Sequence, residues 1–260
     1  MNVLVSNDDG IKAAGLAALV NALSKVADVY VCAPNGQRSA ASHSITMREP
    51  IRVKSAEIES AKIAMTSTGT PADCVRLGIK VLKDLGIEID MVFSGINMGG
   101  NLGTDTLYSG TVAAAIEGSI LGKPSVAVSV NSHEAEHFGY ACRIAVNCAR
   151  NAWDKIPEGH ILNVNVPNLP DYNIEGVKYT KLGPREYLPW FNHENGIEGA
   201  HDLIDLEYTY GSTPVEYDEL TVDYDVRAME RRFATITPLR YDMTDYEMIE
   251  TIKEWGLNDK

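Results

Sequence analysis

The chain of 260 residues is 45 % hydrophobic and carries a formal net charge of −13. That is enough apolar material for a sizeable core, arranged as one elaborated domain or two closely packed ones. The acidic balance excludes a basic groove for nucleic acid and an electrostatic grip on anionic membrane, since both depend on Lys and Arg. No apolar run reaches the roughly 18 residues of a membrane span. Cys32, Cys74, Cys142 and Cys148 lack CxxC spacing and sit in apolar runs, the pattern of reduced core thiols. The N-terminus has neither the basic start nor the long apolar stretch of a signal peptide, so a cytoplasmic protein is expected.

In chain order, Val3-Leu4-Val5 is the apolar run of a strand buried on both faces, and Asn7-Asp8-Asp9-Gly10 is turn chemistry at its carboxyl end. Leu16, Leu19, Val20, Leu23 and Val26 share one helical face, and Asp28 to Ala33 is a second buried strand, completing a βαβ unit. The small, polar stretch Pro34 to Ser44 has the composition of a functional loop. Ile51 to Ile58 and Lys62 to Ser67 are expected as a hairpin on the main sheet. Thr70 is placed to cap a helix with Pro71 at its first position, running to about Leu85. Ile89 to Ser94 is the next buried strand, followed by a loop rich in glycine at Gly95, Gly99, Gly100 and Gly103.

A helix opens at Ser109-Gly110-Thr111 and runs through Leu121, a strand covers Ser125 to Val130, a helix Glu136 to Trp153, and a strand His160 to Val166. From about Pro167 the texture changes. Segments such as Val177 to Leu182 and Leu203 to Tyr210 alternate polar and apolar residues, which fits an antiparallel elaboration. Ala234 to Pro238 reads as a late strand and Asp245 to Trp255 as a terminal helix. The fold class expected is α/β: a Rossmann-like, mostly parallel sheet flanked by helices (1–166), with a C-terminal antiparallel β extension and terminal helix (167–260).

In an open parallel sheet, ligands gather outside the carboxyl ends of the strands. Asp8, Asp9, Ser39 and Asn97 all fall just past such ends. They are oxygen donors from three loops, a set that suits a hard divalent cation such as Mg²⁺ or Mn²⁺ better than zinc. Two adjacent carboxylates also need a cation or water to relieve their repulsion. Ser109, Gly110 and Thr111 at a helix start offer unsatisfied N–H groups and the positive end of a dipole, a site for phosphate. His133-Glu-Ala-Glu-His137 matches the zinc-protease pattern HExxH, but it follows a strand directly and has no evident third ligand. With Ser132 as a helix cap, its acidic residues read instead as those of a first helical turn.

These motifs resemble the survival protein SurE family, metal-dependent phosphatases acting on nucleoside monophosphates. The resemblance rests on NDDG at Asn7 to Gly10, Ala33-Pro34 with S-x-x-S-H-S from Ser39 to Ser44, GTPADCV from Gly69 to Val75, SGIN from Ser94 to Asn97 leading into GNLGTDTLYSGTVAAAIEG, and ITPL at Ile236 to Leu239. It implies one divalent ion per subunit on Asp8, Asp9, Ser39 and Asn97, with Asp8 or Asp9 as proton acceptor. It also implies phosphate or substrate contacts at Asn101, Ser109, Gly110 and Thr111. A homodimer or homotetramer formed through the C-terminal segment is implied too, and Tyr187, Trp190, Phe191, Tyr208, Tyr210, Tyr217 and Tyr224 supply aromatic surface for it. The chain departs from the usual pattern in places: Asn35, Gly36 and Gln37 stand where Asp-Arg-Asn is common, and Ala40 and Arg232 occupy positions where glycine is common. The expected reaction is hydrolysis of nucleoside 5'-monophosphates, with 3'-monophosphates and short polyphosphate as further candidate substrates. A non-catalytic nucleotide or metal sensor and a zinc protease are the alternatives.

Overall fold

A computed structural model describes residues 1–193, 208–215, 217, 219 and 221–257. Its centre is a nine-stranded sheet in the order β3-β4-β2-β1-β5-β6-β7-β11-β8. The strands are β1 (Asn2–Ser6), β2 (Asp28–Pro34), β3 (Val53–Ala56), β4 (Ile63–Ser67), β5 (Met91–Met98), β6 (Ser125–Asn131), β7 (His160–Pro167), β8 (Val177–Tyr179) and β11 (Ala234–Arg240). Pairing is parallel from β4 through β7, while β3 joins β4 and β11 joins β7 in the antiparallel sense. The chain leaves β1 towards β2 on one side and returns to β5 on the other, so the strand order reverses between β1 and β5.

Helices cover both faces. α1 (Ala14–Leu23) and α4 (Gly139–Asn151) pack together on one side, α2 (Pro71–Asp84) and α3 (Gly110–Ile120) on the other. The apolar stripe of α1 is realised in full: Leu16, Leu19, Val20 and Leu23 are buried against Val3, Val5 and Phe93. Each such side chain stabilises the fold by roughly 1.5–3 kcal/mol of apolar burial. α2 begins as its sequence dictates, with Thr70 accepting from the Asp73 N–H and Asp73 returning the bond to the Thr70 N–H.

Three expectations need correction. β5 does not stop at Ser94 but continues through Asn97 to Met98, with a register shift against β6. Gly95 permits this, because a Cβ there would lie 2.2 Å from the Val128 carbonyl oxygen. α4 begins at Gly139, not Glu136, and His133 to His137 lies outside any helix. Its amides are already engaged: Ser132 Oγ accepts from Glu134, and Asn168 Oδ1 accepts from both Glu136 and His137. Ser132 is therefore a turn residue and not a helix cap, and the acidic residues are not in a first turn.

The third correction concerns the C-terminal part. β8 is only three residues long and runs parallel to β11 within the main sheet, so the central sheet continues past residue 166. The antiparallel element is a separate pair, β9 (Tyr187–His193) with β10 (Tyr208–Pro214). The expected strand start at Leu203 lies outside the described residues. A short helix α5 (Asp225–Glu230) precedes β11, and α6 (Tyr246–Lys253), capped by Asp245, follows it. No helix among the described residues is long and apolar enough to cross a membrane.

Candidate active site

The carboxyl ends of β1 and β5 meet where the strand order reverses, and the loops there are stitched together. Asn7 closes the first turn by donating from Nδ2 to the Gly10 carbonyl and accepting from the Gly10 N–H. Gly10 adopts φ +96° and lies against Gly36, where a Cβ would approach the Gly36 backbone to 3.0 Å. The Ile11 N–H donates to Pro34 O and the Arg38 N–H to Asp8 O, at 2.8 and 2.7 Å. The loop after β2 is thereby latched onto the loop after β1.

Asp8 is only 6 % exposed. Thr111 donates to it twice, from Oγ1 to Oδ1 at 2.6 Å and from its N–H to Oδ2 at 3.2 Å. Gly110 allows this approach, because a Cβ there would lie 2.9 Å from Asp8 Oδ2. Burial pushes the Asp8 carboxyl up to about 6; the Thr111 hydroxyl opposes the rise and Asp9 adds to it. Asp9 accepts from the Met98 N–H at 3.1 Å. Its carboxyl is likewise raised by burial, with the Met98 amide and nearby His133 pulling it back.

Neither Asp8 nor Asp9 forms an ion pair with a Lys or Arg among the described residues. The nearby Arg38 guanidinium is turned to the Thr68 carbonyl. A buried carboxylate beside a second one, with no cation from the protein, is a pair that a divalent ion would stabilise. No three His, Cys, Asp or Glu side chains among the described residues group to hold a metal, so an ion here would draw on amide and hydroxyl oxygens as well. Asn97 fits that need, since its Nδ2 donates to Gly99 O at 2.7 Å and leaves Oδ1 as the available donor atom.

Ser39 stands on the exposed rim, accepting from Gln37 Nε2 at 2.8 Å. Its loop is fastened at several points. Ser42 donates to Leu107 O, Thr70 Oγ1 donates to Ser44 O, and His43 Nε2 lies 2.8 Å from Glu117 Oε2. Glu117 is buried in α3 and also receives Arg76. Burial pushes its carboxyl up, and the His43 and Arg76 hydrogen bonds more than offset that, holding it low.

At the start of α3, Ser109 caps the helix by accepting from the Val112 N–H. With Thr111 engaged by Asp8 and Val112 by Ser109, the Gly110 N–H is the first-turn amide left without an acceptor among the described residues. Asn101 is buried and tied to β6 and β7. Its Nδ2 donates to Ser129 Oγ, its N–H to Asn165 Oδ1, and its carbonyl accepts from Asn163 and Asn165. These two asparagines of β7 fix the glycine-rich loop, a role no local sequence signal announces. His133 was also missed: it follows β6 and reaches the Asp9 side of the site, although the HExxH spacing pointed elsewhere.

The chain is similar to known proteins over nearly its whole length. Residues 3–189 match the family model "Survival protein SurE". The "5'-nucleotidase SurE" of Syntrophomonas wolfei is 41 % identical over 256 residues, covering 98 % of this chain and 94 % of its own. That of Pelotomaculum thermopropionicum is 41 % identical over 255 residues, covering 98 % and 95 %. The crystal structure of the SurE protein from Aquifex aeolicus superposes with a TM-score of 0.82 at 35 % identity, covering 98 % of this chain and 99 % of that one.

Proposed function

The chain belongs to the survival protein SurE family, and from that premise we propose that it hydrolyses nucleoside 5'-monophosphates to nucleoside and phosphate with the help of a divalent cation. The observation that carries this reading is Asp8, a buried carboxylate without a protein cation that is bonded directly to the start of α3. Asp8, Asp9, Asn97 and, from the rim, Ser39 would hold one Mg²⁺ or Mn²⁺ per subunit. Such an ion supplies charge stabilisation of phosphoryl oxygens and lowers the pKa of a bound water.

The chain's own groups do the rest. The Gly110 N–H and the dipole of α3 bind the phosphate. Thr111 holds Asp8 in place, and the Asn163 and Asn165 amides hold the loop that leads to Ser109. Asp9, less buried than Asp8 and fixed through one oxygen to Met98, is the better placed of the two to take a proton from an attacking water. The HEAEH segment lacks the helix that a zinc-protease pair requires.

We place the protein in the cytoplasm and assign the β9–β10 pair within 167–260 to subunit assembly, as a homodimer or homotetramer. Exposed Leu188, Trp190, Phe191, Tyr208 and Tyr210 on β9 and β10 support that assignment. Phosphate release from a panel of nucleoside 5'- and 3'-monophosphates and tripolyphosphate, with Mn²⁺, Mg²⁺ or chelator, tests the reading. Turnover of 5'-monophosphates that chelator abolishes and that Asp9→Asn reduces by at least about 100-fold is expected. Binding of nucleotide without any phosphate release would make the protein a sensor instead.

A further inference from the structure

The HEAEH run is the one sequence motif that the phosphatase reading leaves without a purpose, and its first histidine lies at the proposed metal site. His133 follows β6, the strand beside β5, in a turn closed by the Ser132 hydroxyl on the Glu134 N–H. That turn brings the imidazole over the end of β5. A methyl group on Gly99 would sit 3.1 Å from His133 Cε1, 3.3 Å from its Nδ1 and 3.6 Å from Asn97 Nδ2. The His133 ring and the Asn97 amide therefore flank the same α-carbon.

Two proposed metal ligands are tied to that short piece of backbone. Asp9 accepts from the Met98 N–H, and Asn97 donates to the Gly99 carbonyl, at 3.1 and 2.7 Å. Gly99 itself adopts φ +123°, and while its N–H is held by the Val130 carbonyl at 2.9 Å, it has no side chain of its own to fill the space beside Asn97. A ring packed there restricts the backbone on which both oxygen donors depend. His137 enters no such contact: its backbone N–H goes to Asn168 Oδ1, beyond β7, and its ring is not among the atoms nearest to Gly99.

We propose that His133 is a positioning residue for the metal site, its ring wedged against Gly99 so that Asp9 and Asn97 keep the spacing an ion needs. This rests on the assignment of Asp9 and Asn97 as ligands. Groups that orient metal ligands from outside the coordination sphere typically change affinity by about 10–100-fold when removed.

The test is calorimetric titration of Mn²⁺ into the full chain without substrate, at one pH, alongside thermal melts of the metal-free proteins. His133→Ala should weaken Mn²⁺ binding by about 10-fold or more with an unchanged melting temperature. His133→Phe, which keeps a ring against Gly99, should restore affinity to within about threefold, and His137→Ala should bind as wild type. Wild-type affinity in His133→Ala overturns the proposal. So does a His133→Phe protein as weak as the alanine variant, since the nitrogens and not the wedge would then matter. Asp9→Asn separates the two levels of the argument: if it too binds Mn²⁺ normally, the metal-site assignment itself falls, and with it any positioning role.

Discussion

In the central sheet, Leu4, Met91 and Phe93 are wholly removed from water, whereas Trp190, Phe191, Tyr208 and Tyr210 on β9 and β10 keep between 45 % and 60 % of their surface exposed. The two regions use large side chains for different ends. In the sheet they stabilise the chain that carries them. On the hairpin Phe191 packs edge-to-face against Tyr208 and tilted against Tyr210, and an isolated two-stranded hairpin is marginal in water. The site is built where the first strategy operates, and the hairpin gains little until something covers it.

Among the described residues the two regions are joined by Tyr187 and Arg185 on Asp105 and by Asp225, and cutting the last should have the largest effect. Asp225 is fully buried and accepts from the N–H groups of Gly103, Gly183 and Val226 at 2.9, 2.7 and 2.8 Å. Gly103 belongs to the loop leading to Ser109, and Gly183 leads into β9. Asp225→Ala leaves three donors without an acceptor and should destabilise by roughly 3 kcal/mol or more in urea unfolding, with Asp225→Asn losing less. A loss under about 1 kcal/mol would mean the two parts are not coupled through this carboxylate.

The next effect sits wholly in the core region. Burial raises the Asp8 carboxyl from 3.8 to about 6, so between those values the folded chain retains a proton that the unfolded chain has released. Its contribution to stability is present below about pH 4 and is lost as pH rises through about 6, a swing of roughly 3 kcal/mol. Asp8→Asn should lack this swing. Metal-free, its stability relative to wild type should improve by roughly 3 kcal/mol between about pH 4 and 7, and saturating Mn²⁺ should shrink that gap by stabilising the ionised wild type. A pH-independent difference would show a solvated carboxylate.

For the hairpin, Trp190→Ala with Phe191→Ala should change the stability of the subunit by less than about 1 kcal/mol, because neither ring is in the core. Subunit association should weaken by about 30-fold or more in sedimentation at micromolar concentration, as expected of exposed aromatic anchors. Unchanged sedimentation would remove these rings from any interface.

What could be read beforehand divides along the same line. The strands β1 and β2 and the capped start of α2 follow from local patterns, apolar runs and the Thr70 to Asp73 spacing, and they stand where expected. Asp8 and Asp9 fall just past the end of β1, as their turn chemistry implied, whereas Asn97 lies within β5 and not beyond it. The engagement of Thr111 with Asp8, the Asn163 and Asn165 support of Asn101, and the reach of His133 to Gly99 were not legible. Each joins segments more than 30 residues apart. The late start of α4 involves another distant contact that local patterns do not announce: Asn168, from beyond β7, accepts from the Glu136 and His137 amides in the segment before the helix.

The smallest expected effects come from the two departures from glycine, Ala40 in the Ser39 loop and Arg232 before β11. Both adopt the left-handed conformation, φ +54° and +64°, which explains why glycine suits these positions. A side chain there costs roughly 1–2 kcal/mol of steric strain, while glycine costs about 0.5–1 kcal/mol in unfolded-state entropy. Replacement by glycine should therefore stabilise by about 0.5–1 kcal/mol in each case. Ala40→Gly should gain the more, because Arg232 also pairs with Glu175 at 2.5 Å on the surface, and an exposed pair contributes a few tenths of a kcal/mol, about 0.2–1, that its removal forfeits. Ala41, which is not among the positive-φ residues, is the control: Ala41→Gly should destabilise slightly. Unfolding midpoints for the three variants decide the matter, and a destabilised Ala40→Gly would mean that the loop holding Ser39 relies on the Ala40 methyl for packing and not merely on its backbone turn.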